Sequence, residues 1–433
     1  MISWARRFQV RQHVRQSMWV VPLMGGIIGL LLSQLDLRLE GSLKLPTDWS
    51  YSSGTASSVL AAIVGAMVGL IGLVVTIGVL VVQMATGTLS ARFMRLWYRD
   101  RVQKLTLAAF TATFTFSYAL LRRIEPNSVP NFGVSMAGVA VTLDLILLLV
   151  YVDRFLHMLR PVAVGAVMAQ AGLEIVQRLG QRPQVRPDFD ATIWTAADRP
   201  PDEPHVQVRA TRSGAIQALD AEGIFDCAAA RGLVCVLPNA MGDFVTVGGV
   251  LVDVYGPATA RDVRRLRGMI ALGHERTIDQ DPAFALRILV DIAIRALSPA
   301  VNDPTTATQM INHIGDLLTG VGASEPAARR IWLDRHSQVR LVVPTRTWED
   351  YLQLGVSEVR QYGTTSSQTS RRLRAMLLDL QQRVPQDLRP AVARQLAILD
   401  RMVAEAFADP DERAFALGQD RQGIGGAAES DQV

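Results

Sequence analysis

The densest polar constellation of the chain lies in GHERTIDQDPAFALRILVDIAIRALSPAVNDPTTATQMINHI, Gly273 to Ile314, which holds Glu275, Arg276, Asp281, Arg287, Asp291, Arg295, Ser298, Asn302 and Asp303. Acids and arginines gathered this densely either tune a proton-transfer group or lock a fold, and their spacing helps to separate the two. Arg287, Asp291 and Arg295 recur every four residues, so a helix places them on one face. Arg ahead of Asp is the less favourable order for an intrahelical pair, and the other face is Ile288, Leu289, Ile292, Ala293 and Ala296. The expectation is a network with outside partners such as Glu275, Asp279 or Asp281. A structural staple is the preferred reading, because buried charge networks more often fix geometry than catalyse.

An enzyme would show a nucleophile with its base, or a metal cluster with ligand spacing. Ser298, His274 and His313 are present, but in no H-x-x-E-H, G-x-S-x-G or P-loop pattern, and His157, His205 and His336 stand apart. No reaction, catalytic residue, metal or cofactor is predicted. Two helices must position the polar passage. Asp281 with Pro282 makes a helix start, Pro299 ends that helix, and Asp303 with Pro304 starts the next in cap-then-first-turn order.

A second group of candidates lies in apolar segments. Trp49 to Ala91 contains no Asp, Glu, Lys or Arg, and ~20 apolar residues suffice to cross a hydrocarbon core. Transmembrane helices are predicted at 17–35, 57–85, 105–121 and 133–152. In the second, Gly65 and Gly69, joined by Gly72, allow neighbouring backbones to approach closely. Helix packing is the first reading; the other is a pore, in which the glycines, Thr76 and Gln83 expose polar groups to a water path. The third span carries Thr106, Thr111, Thr113, Thr115 and Ser117. Asp144 in the fourth is more pointed, since a carboxylate near a span centre costs ~2.5 to 3.5 kcal/mol on insertion scales unless paired or hydrated. Asp144 is either a pore residue or a polar link to those threonine hydroxyls.

Arg6, Arg7, Arg11 and Arg15 precede the first span, and Arg92, Arg95, Arg99, Arg101 and Lys104 separate the second from the third, which predicts cytoplasmic termini. The first span reads as a retained helix, because its apolar stretch exceeds a signal peptide's and no small-x-small cleavage pattern follows Leu35. The formal charge of +4 over 433 residues is modest. No basic block interleaved with aromatics stands out, so nucleic acid is not an expected partner, and the excess charge sits beside the spans. Cys227 and Cys235, the only cysteines, fit neither a metal pair nor a disulfide framework. The expected organisation is a membrane domain over 1–160, a helix extension kinked at Pro161 with a Pro-rich linker over 161–204, and a small β-barrel over 205–258. A cytoplasmic helical α+β domain over 259–410 and a disordered tail over 411–433 complete it.

The barrel expectation rests on His205 to Asp220 and Leu237 to Gly256, where Gly242, Gly248 and Gly249 punctuate alternating Phe244, Val245, Val247, Leu251 and Val254. An S-G turn ahead of a G-D-x-V-x-x-G-x-x-L stretch resembles the two halves of a biotinyl or lipoyl barrel. No lysine occurs in this region, so no cofactor attachment carries over.

RALSPAVNDPTTA, together with VVQMATGTLSARFMRLWYRDR after the second span and GDFVTVGGVLVDV in the barrel region, resembles an uncharacterised family of predicted bacterial membrane proteins, domain of unknown function 2254. Its S-P-x-x-N-D-P-x-T-A signature falls here on Ser298, Pro299, Asn302, Asp303, Pro304, Thr306 and Ala307. The resemblance implies an integral protein of the bacterial inner membrane and supplies no catalytic residues. Two functions of different classes follow. One is a homo-oligomeric channel or permeation pathway for ions, with the cytoplasmic part as vestibule or gate. The other is a membrane-anchored sensor or interaction scaffold, favoured if the polar groups of the second and third spans face helix neighbours in a closed bundle. The lipid bilayer and further copies of the chain are the expected partners.

Overall fold

The computed structural model describes residues 3–40, 50–88, 100–126, 128–158, 160–180, 204–326 and 329–426. The basic stretch Arg92–Arg99, the Pro-rich linker from Pro183 to Pro201 and the last residues of the expected tail, 427–433, lie outside them. The chain divides into a helical unit, Gln12–Arg160, and a mixed unit, Met1–Arg11 with Pro161–Val433.

The first helices are α1 (Trp4–Gln16), α2 (Val20–Glu40), α3 (Ser53–Thr88), α4 (Arg101–Leu121) and α5 (Asn131–Met158). Among the described residues, four helices are long and apolar enough to cross a membrane: Ser53–Gln83, Arg101–Leu121, Asn131–His157 and Pro161–Leu179. Val20–Asp36 passes the same test only as a pair with Trp4–Gln16, from which it is bent by 74°. The second, third and fourth expected spans therefore recur as α3, α4 and α5, while the first falls on α2, which passes the test together with α1.

In the helical unit, α2, α3 and α5 all pack against α4. A Cβ on Gly25 or Gly29 of α2 would stand 2.2 Å from the carbonyl oxygen of Ala108 or Ala112 on α4, so these two backbones touch. The α3 face bearing Leu60, Ile63, Met67 and Val74 enters a core with Phe110, Val134 and Ala137.

The mixed unit continues with α6 (Pro161–Gly180), β1 (Val206–Arg209), β2 (Gly214–Leu219), α7 (Ala221–Arg231), β3 (Val234–Val236), β4 (Phe244–Val245), β5 (Val250–Tyr255), α8 (Ala260–Arg267) and β6 (Ile270–Gly273). Then come α9 (Pro282–Ala296), α10 (Pro304–Ala323), β7 (Arg329–Leu333), β8 (Val339–Pro344), α11 (Trp348–Gly363), α12 (Ser367–Arg383), α13 (Arg389–Ala406) and α14 (Pro410–Ala416). Although apolar enough to span a membrane, α6 packs on α9 and α10. Its Gly165 leaves room for Met310, whose Cε lies 2.6 Å from where a Cβ would be.

No closed barrel forms among the described residues. The strands lie in a five-stranded sheet of order β1-β5-β3-β8-β7 and a three-stranded sheet of order β4-β2-β6. Two features separate this from a self-contained barrel over 205–258. The outer edge of β3 pairs in parallel with β8, Cys235 opposite Leu341, so the larger sheet recruits a hairpin from far along the chain. The smaller sheet likewise needs β6, Ile270 opposite Leu219. Both sheets share one core, which includes Val208, Ile216, Cys235, Val252, Leu272 and Leu341.

Of the segment expected to be a disordered tail, residues 411–426 are described and pack against the mixed unit. After α14, Arg371 of α12, fully buried, donates to the carbonyls of Gly426 at 2.6 Å and Gln419 at 3.2 Å, and its guanidinium lies 4.1 Å from the centre of the Phe415 ring. Asp420 accepts from the backbone N–H groups of Gly423 and Gly425. A buried arginine must find acceptors, and backbone carbonyls of a Gly-rich strand supply them.

Candidate functional site

Pro282 at the first turn and the apolar run Phe284 to Ala293 build α9, all of whose core-facing positions are buried. The polar residues it carries do not converge. With ~1.5 Å of rise per residue, Asp281 and Ser298 sit roughly 25 Å apart at its two ends. Three separate arrangements result.

In the middle of α9, Arg287 donates from Nε to Asp291 Oδ1 at 2.7 Å and from Nη2 to Glu358 Oε2 at 2.8 Å, with a further bond from Nη1 to Glu358 Oε1. The expected outside partner is thus Glu358 on α11, rather than Glu275, Asp279 or Asp281. The forked contact raises the Arg287 pKa, chiefly through the Glu358 hydrogen bonds, and clamps α9 to α11. Nothing in the sequence around Glu358 singled it out, since it lies on a helix from a later part of the chain.

At the start of α9, Arg276 donates from Nε and Nη2 to Asp281 Oδ2, at 3.1 and 2.5 Å, and lies over the Phe284 ring. Burial pushes the Asp281 carboxyl above the usual range, against the pull of Arg276. Beside this pair opens a cavity of about 150 Å³ with Gln280, Asp281, Arg329, Arg330, Arg346 and Tyr351 in its wall. Tyr351 is only 8% exposed, and its hydroxyl makes no hydrogen bond among the described residues. Burial first, then the nearby Asp281, raises its pKa, so the hydroxyl keeps its proton and can donate. Arginines and a phenol suit a small anion. Glu275 instead reaches the smaller sheet, its carbonyl accepting from Gln217 Nε2. Among the described residues, no three His, Cys, Asp or Glu side chains gather as a metal would need.

In the helical unit, the candidate residues part into two faces. Gly65, Gly69, Gly72, Thr76 and Gln83 are all exposed, on the side of α3 opposite its buried stripe. Apart from the helix's own adjoining backbone, no atom of the described residues lies within 4 Å of a Cβ built on Gly65, Gly69 or Gly72. With Ser58, Ala62 and Val79, also exposed, they repeat at alternating steps of four and three residues. That is the repeat of a helix–helix seam, and at ~1.5 Å per residue it runs for about 38 Å.

Asp144 faces inward instead. It is buried beside Thr113 of α4, and its Oδ2 makes no hydrogen bond among the described residues. Three hydroxyls of α4 turn to nearby backbone, Thr106 donating to Val102 O, Thr111 to Leu107 O, and Thr115 to Thr111 O and to Gly26 O of α2, while Ser117 Oγ is buried with no hydrogen bond among the described residues.

Known proteins resemble this chain along almost its whole length. The family model described as predicted membrane protein, domain of unknown function 2254, matches residues 15–379. The chain belongs to this family. Two relatives, an uncharacterized protein of Mycobacterium tuberculosis (strain ATCC 25618 / H37Rv) and one of Mycobacterium bovis, are each 31% identical over 430 residues, covering 95% of this chain and 81% of their own length. No solved structure matches. In this member of the family the S-P-A-V-N-D-P-T-T-A passage works as paired helix caps. Ser298 Oγ donates to Arg295 O at 2.7 Å, Asn302 takes a left-handed φ of 47°, and Asp303 accepts from Thr306 N at 3.0 Å to cap α10.

Proposed function

We propose that the protein is a homo-oligomeric ion channel or permeation pathway of the bacterial inner membrane, with α3 of each copy facing a common axis and the mixed unit forming a cytoplasmic vestibule or gate. The supporting observation is the open seam of α3. Glycine costs a helix ~1 kcal/mol relative to alanine, and a membrane helix facing lipid alone has no use for a row of them. Small residues repeating at helix-packing intervals are what close approach between membrane helices requires, and no other helix among the described residues meets them. Thr76 and Gln83 lie in the same row, so polar groups would line the same axis.

A second reading, the membrane-anchored scaffold, has its own support. Thr106, Thr111 and Thr115 of α4 are bonded to backbone and Asp144 is buried inside the helical unit, which leaves α3 to supply a polar path. Ion flux into liposomes carrying the purified protein separates the two, with cross-linking to report assembly. Flux that Gly69→Leu abolishes supports a channel. Intact oligomers with no flux at any pH or voltage would sink that reading and leave the scaffold.

A further inference from the structure

The first turns of α1 belong to the mixed unit. Ala5 packs with Ala218 of β2 and Ala271 of β6, flanked by Trp4 and Phe8, while Ala5 N donates to Gly268 O and Gln9 Nε2 to Leu272 O, both at 2.8 Å. This docking brings the arginines of α1 against those of α8, Arg212 and Arg231. Two clefts flank the helix, of about 480 and 1000 Å³. Arg6, Arg212, Arg264 and Arg267 stand around the first, with no carboxylate. Arg7, Arg231, Arg261, Arg264 and Arg265 stand around the second, with Asp220 and Asp262.

Eight arginines against two aspartates exceed the formal charge of +4 of the entire chain. Both aspartates are occupied as helix caps, Asp220 for α7 and Asp262 in the capping box of α8. Arg6, Arg7, Arg261 and Arg265 make no side-chain hydrogen bond or ion pair among the described residues. Charge of one sign at this density, with unengaged guanidinium forks, calls for a phosphate-bearing partner.

We propose that the two clefts hold the phosphate headgroups of anionic phospholipids. The chain path favours lipid: α1 ends at Gln16 and α2 begins at Val20, so Arg7 lies about 14 Å of helix from the turn into an apolar helix. Juxtamembrane arginine clusters draw anionic lipid in this way. Trp4 is the one aromatic side chain among the described residues in the cleft walls, and it is stacked on Phe8, ring centres 5.6 Å apart, and packed on the sheet, which makes a poor platform for successive nucleic-acid bases.

The test uses the full-length protein in uncharged detergent. Binding of short-chain phosphatidylglycerol and phosphatidylcholine is measured by native mass spectrometry, with glycerol phosphate and a single-stranded oligonucleotide as competitors. Phosphatidylglycerol should bind at least about tenfold more tightly than phosphatidylcholine, and the preference should vanish in Arg6→Gln/Arg7→Gln/Arg261→Gln/Arg265→Gln, four side chains that hold nothing else in place. It should survive in a variant losing the same charge at Arg335, Arg383, Arg394 and Arg401. Equal loss in both variants would overturn the proposal in favour of diffuse charge. Competition by glycerol phosphate at matched concentration would reassign the clefts to a soluble phosphate, and preferential capture of the oligonucleotide to nucleic acid, either of which rejects lipid. Binding is read without flux, so its failure leaves the channel reading untouched, and the reverse holds as well.

Discussion

Two glycine rows in the helical unit look alike in sequence and differ in what they meet. Gly25 and Gly29 of α2 touch the α4 backbone, with Ala108 O and Ala112 O where a side chain would be. Gly65, Gly69 and Gly72 of α3 meet no other element of the described residues within 4 Å. The first row is complete within one chain, whereas the second is complete only if something else arrives. A small-xxx-small pattern therefore reports that a close approach is wanted, and the fold determines whether the chain itself provides the neighbour.

Substitutions can break this comparison at either end. The largest effect is expected for Gly29→Leu, which drives a side chain into the α4 backbone; a loss of ~3 kcal/mol or more, the upper end of overpacking costs, should appear as little recoverable folded protein in a thermal-stability assay. Gly69→Leu should do the reverse, leaving subunit stability within about 0.5 kcal/mol, as for surface sites, while abolishing cross-linked oligomers and flux. If Gly69→Leu also unfolds the subunit, the two rows are not different in kind. Thr113→Val removes the hydroxyl beside the buried Asp144 and should cost no more than ~0.6 to 1.7 kcal/mol, the range for polar contacts between membrane helices, read from the denaturation midpoint. The smallest change is Glu358→Gln, which weakens the fork from Arg287. Because Glu358 is 39% exposed, the expected loss is only ~0.5 to 1 kcal/mol, with oligomer and flux unaltered.

The sequence made some features legible because their cause is local. A charge-free run sets α3, an apolar run interrupted by Asp144 sets α5, Asp–Pro pairs set the starts of α9 and α10, and the S-P-A-V-N-D turn is a matter of caps within a few residues. Other features depend on distant partners. The parallel pairing of β3 with β8, the Glu358 partner of Arg287 and the tail held by Arg371 join segments that no periodicity relates. The arginine clefts fall between. The run R-D-V-R-R-L-R at Arg261–Arg267 is plain in the sequence, and Trp4 with Phe8 gives α1 an apolar face at helical spacing. Their meeting is not deducible from either alone, and it places the charge excess that was expected merely to accompany the spans.

The docking of α1 also bears on the order in which the protein is made. Gln9 and the carbonyl it holds at Leu272 are 263 positions apart. At the usual elongation rate of ~5 to 20 residues per second, roughly 13 to 50 s separate the emergence of α1 from that of its seat on β6. During that interval α2 to α5 are synthesised and can enter the bilayer. Helix α1 thus waits for its seat until after α2 to α5 have been made.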